Sequence, residues 1–503
     1  MKFVVTNSQM RDAEYNCAKS AVSLEQLMIN AGRACAEASA PMIAHAENIV
    51  VLCGSGNNGG DGMIIASVLS KCRSSVKVIF VNGMPKSDCA KKVAHFMLCR
   101  ENVIYADYLE DNSCIEWLDE ADCVFDCIYG TGFHGSLPEC AARIIAKANK
   151  VPVRIAADIP SGVNSDTGEF DAGCFMPTHT MVLGAMKKGL LKPDCNDILG
   201  EIMLLDIGIP EECYAEYSAV LADEHYRNPF APRRKNSHKG SYGRLLNIAG
   251  SRRYAGAAAM STNAALRSGV GLCTLAAPES IVGALSSAIF ETTYLPLPET
   301  AEGFVADFAS EYLELDKMTA ISIGCGLGCS ENTRRLTEFV IRNASCPIIL
   351  DADSINSIAE NIDILKERKS ELIITPHPLE FSRISGCDTA AISADRIGAA
   401  KSFAQKYGVT VVLKGANTVI SAADGSTVVN TTGNSGLSKG GSGDVLTGII
   451  AAFAAQGIAP FTAAVSGAYC HGLAADILAE RMPAQSMLAR DLIEALTEVY
   501  RSF

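Results

Sequence analysis

Apolar residues in the first two hundred positions gather into short runs, each followed by a polar or glycine-rich turn and then by a stretch of helical length. The runs are Ile49–Leu52, Val76–Val81, Cys123–Asp126, Val153–Asp158, Met181–Leu183 and Ile202–Asp206. Short continuous runs separated by helical patterns predict parallel strands, buried on both faces and joined by helical crossovers. A second series begins at Arg244–Ile248 and continues through Leu272–Ala276, Ala320–Ile323, Ile348–Asp351, Leu372–Thr375 and Val409–Lys414. Between the two, residues 227–241 are rich in Pro, Arg, Asn and Ser, the composition of a connector. No sequence repeat relates the halves. Two unrelated α/β domains are therefore expected, over 1–215 and 236–503, with a linker over 216–235.

From Val445 to Cys470 no residue is charged. The segment is built of Ala and Gly, with Gln456, Pro460, Thr462 and Ser466 interspersed, and predicts buried helices of an α/β core rather than a membrane span. A length of 503 residues agrees with more than one core. The net charge of −13 excludes a nucleic-acid binder, which needs an excess of Lys and Arg to neutralise phosphates. The one basic cluster, Arg233, Arg234, Lys235, His238 and Lys239, reads as a solvated joint. Nineteen cysteines are scattered without a C-x-x-C pair, so neither a disulfide framework nor a zinc site is indicated. Together with an N-terminus that lacks a secretory pattern, they lead to the expectation of a cytoplasmic protein with reduced thiols.

Candidate chemistry sits where strands end. The first run leads into Cys53-Gly54-Ser55-Gly56-Asn57-Asn58-Gly59-Gly60-Asp61-Gly62, with a helical pattern from Met63. Glycines 54, 56 and 59 satisfy G-x-G-x-x-G, and such a loop brings backbone amides up to a phosphate at a helix N-terminus. A dinucleotide fingerprint also needs an acid at the end of the next strand. Here that strand runs into Asn82-Gly83-Met84-Pro85, so a ligand held differently is expected. Three further loops follow strand ends: Asp126–Gly132, Asp158–Val163 and Gly184–Gly189. In an open parallel sheet these loops converge. Asn58, Asp126, Asp158 and Ser161 then offer oxygen ligands suited to a hard cation, although each Asp alone is equally well read as a cap or turn residue.

The second half carries Gly433-Asn434-Ser435-Gly436-Leu437-Ser438-Lys439-Gly440-Gly441-Ser442-Gly443-Asp444. This is not a Walker A loop. Its glycines allow consecutive amides to point at one spot, and a helix N-terminus adds positive potential, an arrangement that stabilises a transferring phosphoryl group. Asp444 stands at its mouth, placed to take a proton from an attacking hydroxyl; the alternative is a helix-capping Asp. Lys414-Gly415-Ala416-Asn417-Thr418, Thr375-Pro376-His377-Pro378-Leu379-Glu380, Asp351 with Asp353, and Gly324-Cys325-Gly326-Leu327-Gly328 follow other strand ends.

By these motifs the chain resembles the bifunctional NAD(P)H-hydrate repair enzymes. G-x-G-N-N-G-G-D-G, D-x-x-x-G-T-G and A-D-I-P-S-G are similar to the NAD(P)H-hydrate epimerase domain, over roughly 1–215. Residues from Asn236 on are similar to the ribokinase-like ADP/ATP-dependent NAD(P)H-hydrate dehydratase; they include Lys239–Gly243, Gly250-Ser251, Tyr254–Ala257 and Ala265–Gly269. The resemblance implies a Rossmann-like three-layer αβα sandwich followed by a ribokinase-like αβα domain.

By the same resemblance Asn57, Asn58, Gly59, Gly60 and Asp61, with Gly130, Thr131, Gly132, Phe133, His134, Gly135, Ser136 and Asp158, hold the hydrated nucleotide for epimerisation. Asn58, Asp126 and Ser161 ligate potassium, and Asp158 acts at the reacting carbon. In the second half Ala257, Gly326, His377 and Asp444 touch the hydrate, while Lys414, Gly415, Ala416, Asn417, Thr418 and Gly443 touch the nucleotide. The implied reactions are epimerisation of the R and S hydrates of NADH and NADPH, then dehydration of the S form. Dehydration proceeds by phosphorylation of its hydroxyl and loss of phosphate, with ADP (or ATP) as donor, Mg2+ as its counter-ion and AMP as product.

The family's Gly before Glu380 is Leu379 here, which weakens the transfer of a magnesium role to Glu380. A homo-oligomer acting on small molecules, with neither nucleic acid nor membrane as partner, is expected. Two alternatives stay open at this point: a hydroxymethylpyrimidine or sugar kinase fused to an unrelated domain, and a non-catalytic N-terminal binding module.

Overall fold

The computed structural model describes residues 1–72, 75–97, 102–230, 232–307 and 309–501. They fall into two compact units, Met1–Val220 and Leu221–Phe503. In the first, seven strands lie in the order Val103–Asp107, Ser75–Phe80, Asn48–Cys53, Cys123–Cys127, Val153–Ala157, His179–Leu183, Glu201–Leu205, all parallel. Ile49, Val51 and Cys53 enter one apolar layer with residues of the helices Leu24–Ser39 and Asn57–Leu69. Val50 and Leu52 enter the opposite layer with the helix Glu139–Ala148. The two-residue alternation of a strand thus feeds both faces, which is why the run is apolar throughout.

In the second unit the order is Thr293–Leu297, Leu272–Pro278, Arg244–Ile248, Ala320–Ile323, Ile348–Leu350, Leu372–Ile374, Thr410–Leu413, Thr418–Ser421, Thr427–Asn430. Pairing is parallel up to Thr410–Leu413 and antiparallel in the closing hairpin. The uncharged segment forms parts of two buried helices, Ser442–Ala455 and Pro460–Ala479, and among the described residues no helix is long and apolar enough to cross a membrane. A Cβ on Gly448 would come within 2.2 Å of the Ser261 carbonyl, so the helices Ser442–Ala455 and Ala255–Arg267 pack backbone against backbone at this point.

Four expectations are corrected. The helix after the first glycine loop starts at Asn57 and not Met63, so Asn57–Asp61 are its first residues. The strand Val103–Asp107 has no counterpart among the apolar runs, nor has Thr293–Leu297, whose Pro296 is tolerated because the strand lies at the sheet edge. Thr418 opens a strand instead of ending a loop. Within 216–235 lie the strand Ala219–Leu221 and the turn Glu224–Arg227, and Arg233 of the basic cluster rests on the Tyr242 ring at 4.0 Å. The described cysteines are all free thiols.

Candidate active sites

Strand order locates both sites. In the first unit the chain leaves Asn48–Cys53 toward one edge of the sheet and later returns on the other side of it through Cys123–Cys127. The loops after these two strands open away from each other, and the crevice between them is the place where α/β sheets bind ligands. They are the loops carrying Asn57–Asp61 and Gly130–Ser136. Close packing fixes the first: a Cβ on Gly59 would lie 1.9 Å from the Gly54 carbonyl, and one on Gly54 would lie 1.9 Å from that of Ile128. Gly60 and Gly62 press on Met28 and Cys127. Only residues without a side chain let this helix lie so near the sheet.

Asp126 is fully buried. Its Oδ1 accepts from the Ser161 hydroxyl at 2.7 Å and the Ile128 amide at 3.1 Å, and its Oδ2 accepts from the Ser161 amide at 2.7 Å. Burial pushes its carboxyl up to about 6 against the pull of these bonds. Ser161 in turn accepts from the Tyr129 amide at 2.9 Å. Asn58 supplies the third member: its side-chain Nδ2 is buried without a hydrogen-bond partner. The two ends of an amide are interchangeable by a half-turn, so the same position can present an oxygen lone pair. A buried carboxylate, a serine hydroxyl and an orphaned amide form a donor set that fits a hard monovalent cation.

Gly130 is the meeting point, because a Cβ there would lie 3.4 Å from the Asn58 side chain and 3.6 Å from Asp158 Oδ2. Asp158 sits at φ +68°, a left-handed conformation that Asp enters more readily than most residues. It is held there by its amide donating to the Met181 carbonyl at 2.8 Å. Its Oδ1 accepts from Lys187 Nζ, and that ammonium also donates to the Leu183 carbonyl at 2.7 Å. Lys187 is 1% exposed. Burial, followed by the charges of Asp158 and Glu14, holds the Asp61 carboxyl well above the usual range, and burial raises Glu14 too.

The remaining residues of this set spread out. The Thr131 carbonyl accepts from Asn7 Nδ2 at 2.6 Å, and Phe133 turns inward against Tyr129. His134 bonds with Asn164 at 3.1 Å, and Gly132 and Gly135 face open space. Ser136 is exposed. Sequence reasoning passed over Lys187 and Glu14. A lysine in the short loop that follows a buried strand was the available signal for the first; nothing in the sequence marks the second.

The second unit repeats the logic. Its order reverses between Arg244–Ile248 and Ala320–Ile323, and the segments that follow carry Ala257, in the first turn of the helix Ala255–Arg267, and Gly326. A Cβ on Gly326 would meet the Ala257 and Tyr254 Cβ atoms at 2.8 Å. Asp444 lies in the first turn of the helix that follows Gly441, itself at φ +94°. Asp444, Ala257 and Gly441 line one cavity of about 550 Å3. Burial, reinforced by the charge of Asp351, pushes the Asp444 carboxyl up to about 6.

Asp351 behaves oppositely. Burial acts to raise it, but Lys414 Nζ at 2.7 Å and the Thr375 hydroxyl at 2.7 Å outweigh burial and keep it low. Asp351, Asp444 and the Cys325 thiol have ligating atoms within 4.8 Å of one another. Gly443 faces Lys414, a Cβ there lying 3.5 Å from Nζ. Gly415 at φ +142° and Asn417 at φ +56° turn the chain away from Lys414, and the Thr418 hydroxyl donates to the Gly415 carbonyl at 2.9 Å. Ala416 lies within that turn.

His377 stands at the N-cap of Pro378–Ser385. Its Nδ1 accepts from the Leu379 and Glu380 amides at 3.1 and 3.2 Å, while Glu380 Oε2 accepts from the His377 amide at 2.8 Å. Glu380 is therefore engaged in a cap, with Lys414 Nζ 4.0 Å away. Sequence reasoning gave Cys325 and Asp351 no role, though both stand in loops it singled out.

Two family models match the chain: NAD(P)H-hydrate dehydratase over residues 245–498, and YjeF-related protein N-terminus over 24–189. The bifunctional NAD(P)H-hydrate repair enzyme Nnr of Moorella thermoacetica is 36% identical over 466 residues, 90% of this chain and 87% of that protein. The chain belongs to the bifunctional NAD(P)H-hydrate repair enzyme family. Members from Thermofilum pendens and Escherichia coli are 35% and 34% identical, over 96% and 95% of this chain and 93% and 90% of theirs. A solved structure, the ADP/ATP-dependent NAD(P)H-hydrate dehydratase of Bacillus subtilis co-crystallized with ATP/Mg2+, is 33% identical. It covers 55% of this chain and 95% of its own, with a TM-score of 0.49. Family membership disposes of the two alternatives left open by the sequence.

Proposed function

We propose that the first unit interconverts the R and S hydrates of NADH and NADPH, and that the second dehydrates the S form with ADP, ATP being the alternative donor. In the first unit the hydrated carbon carries both a ring nitrogen and a hydroxyl, so inversion needs only proton transfer around a planar or ring-opened species. Asp158 is the group that moves the proton, and Lys187, bonded to its Oδ1, holds the carboxylate in place. Asn57–Asp61 and Gly130–Ser136 bind the nucleotide. Asn58, Asp126 and Ser161 would hold potassium, whose charge offsets the buried Asp126 and anchors the loops.

In the second unit Asp444 takes the proton of the hydrate hydroxyl as its oxygen attacks the terminal phosphoryl group of ADP, and AMP departs. The ring nitrogen lone pair then expels phosphate, and loss of a proton from the adjacent carbon restores the double bond. Phosphorylation is needed because hydroxide is a poor leaving group. Ala257, Gly326 and His377 orient the hydrate. Lys414–Thr418 and Gly443 hold the nucleotide, whose phosphates bring Mg2+ with them. Glu380, engaged in its cap, would act on that ion through water.

The observation that carries this reading is the placement of Asp444 in the first turn of a glycine-opened helix, lining one cavity with Ala257 and grouped with Asp351 and Cys325. The test is to incubate the protein with mixed R and S hydrates of NADH and follow recovery of reduced-nicotinamide absorbance with ADP or ATP. Full recovery is expected. Recovery of the S fraction alone removes the epimerase assignment, and no recovery with either nucleotide removes the dehydratase.

A further inference from the structure

The cavity in front of Asp444 holds features that proton transfer does not use. Three helices begin at its wall: Ala255–Arg267, Ser442–Ala455 and Ala489–Val499. Each carries partial positive charge at that end. Arg253 and Arg490 line the same cavity and come from distant parts of the chain. Arg252 is spoken for, paired with Glu299 at 2.7 Å. Arg253, by contrast, has no carboxylate within 4.0 Å among the described residues; its guanidinium lies 5.4 Å from the Tyr254 ring centre. Arg490 is 71% exposed, and its nearest carboxylate, Asp491 at 4.0 Å, already accepts from the Leu488 amide.

Two exposed arginines are usually just solvated. Here the charge balance argues otherwise. The protein carries −13 overall, and Asp444 and Asp351 stand together at the inner end of this site. A dinucleotide with a doubly charged pyrophosphate would be repelled unless local cations met it. Guanidinium forks match phosphate oxygens in pairs, and residues at three helix N-termini line the same cavity.

We propose that Arg253 and Arg490 clasp the pyrophosphate of the dinucleotide substrate while its hydrated ring reaches Asp444. This rests on the dehydratase reading above and names the part of the substrate that the site grips. The two arginines act in binding and take no part in the chemical step.

The experiment uses full-length Arg253→Gln, Arg490→Gln and the double variant. For the S hydrate of NADH the KM is expected to rise about tenfold in each single variant and more in the double, with kcat within threefold and the KM for ADP unchanged. The hydrate of reduced nicotinamide mononucleotide, which lacks the pyrophosphate, should show no such loss. An ADP KM that rises instead assigns the arginines to the donor and overturns the proposal. So does a loss confined to the NADPH hydrate, which points to the 2′-phosphate, and so does an unchanged KM. Binding of intact NADH, read from its fluorescence, is measured in parallel. If the wild type binds NADH and the variants do not, yet no hydrate is turned over, the dehydratase reading fails and the clasp stands. Equal binding by all four proteins, or none by the wild type, sinks the clasp alone.

Discussion

Replacing Asp444 by asparagine keeps the size of the side chain and its place in the first turn, and removes only the charge and the proton acceptor. Two effects of opposite sign follow. Asp444 has its carboxyl pushed up to about 6, against roughly 3.9 in an unfolded chain. The folded state therefore binds this proton more tightly than the unfolded one. The penalty on folding is absent below pH ~4, grows as pH rises between about 4 and 6, and is constant above. A proton affinity higher by about a hundredfold corresponds to about 3 kcal/mol, which solvent reaching the carboxylate reduces to about 1–3 kcal/mol.

Asp444→Asn should thus melt on the order of 5 °C higher than wild type at pH 7.5 and at the same temperature at pH 4. Its dehydratase rate on pure S hydrate should fall about 10²- to 10⁴-fold, the usual worth of a general base. The wild-type rate should fall tenfold per pH unit below about 6, as that base is protonated, and any residual activity of the variant should lack this limb. Stopped-time absorbance assays from pH 5 to 8, with scanning calorimetry at pH 4 and 7.5, supply the data. A variant within tenfold of wild type at pH 7.5, or a wild-type rate that is flat from pH 5 to 7, would refute the assignment of Asp444 as base.

Lys187→Met strands the buried Asp158 charge, so it should destabilise the protein by about 3–5 kcal/mol in denaturant melts. It should also abolish epimerisation at concentrations where the protein is folded, with partial rescue by arginine. Asn58→Leu should lower epimerase activity and make it indifferent to exchange of potassium for tetramethylammonium, which should slow the wild type. Gly59→Ala drives a methyl into the Gly54 carbonyl and should cost more than about 3 kcal/mol, while Gly132→Ala, with open space around it, should melt within about 0.5 kcal/mol of wild type.

Strands were legible because burial on both faces leaves an unbroken apolar run, and the sites were legible because loops after such strands must meet at a reversal of strand order. What escaped detection has physical causes. Val103–Asp107 has Ile104 exposed and ends in Asp, so its pattern is that of a half-wet edge. The helix start at Asn57 was hidden by glycines that normally break helices; here they serve the close approach of helix to sheet. Lys187 lies in the loop Gly184–Gly189 beside a second lysine, and only the fold reveals that it turns inward to Asp158. His377 stands out in the sequence for being pinned between prolines, and the structure adds a second task, capping a helix with Glu380.

The two walls of the first crevice differ in how much change they can absorb. At Gly54, Gly59, Gly60 and Gly62 an added Cβ collides with a neighbour, so substitution of these four is barred whatever the ligand. Around Gly132 and Gly135 nothing crowds the chain. Divergence of substrate preference within this family, or its redirection in the laboratory toward other hydrated heterocycles, has one permissive wall to work with. Libraries confined to Gly132, His134 and Ser136, which are exposed, should retain folded protein where libraries at the four crowded glycines would mostly lose it.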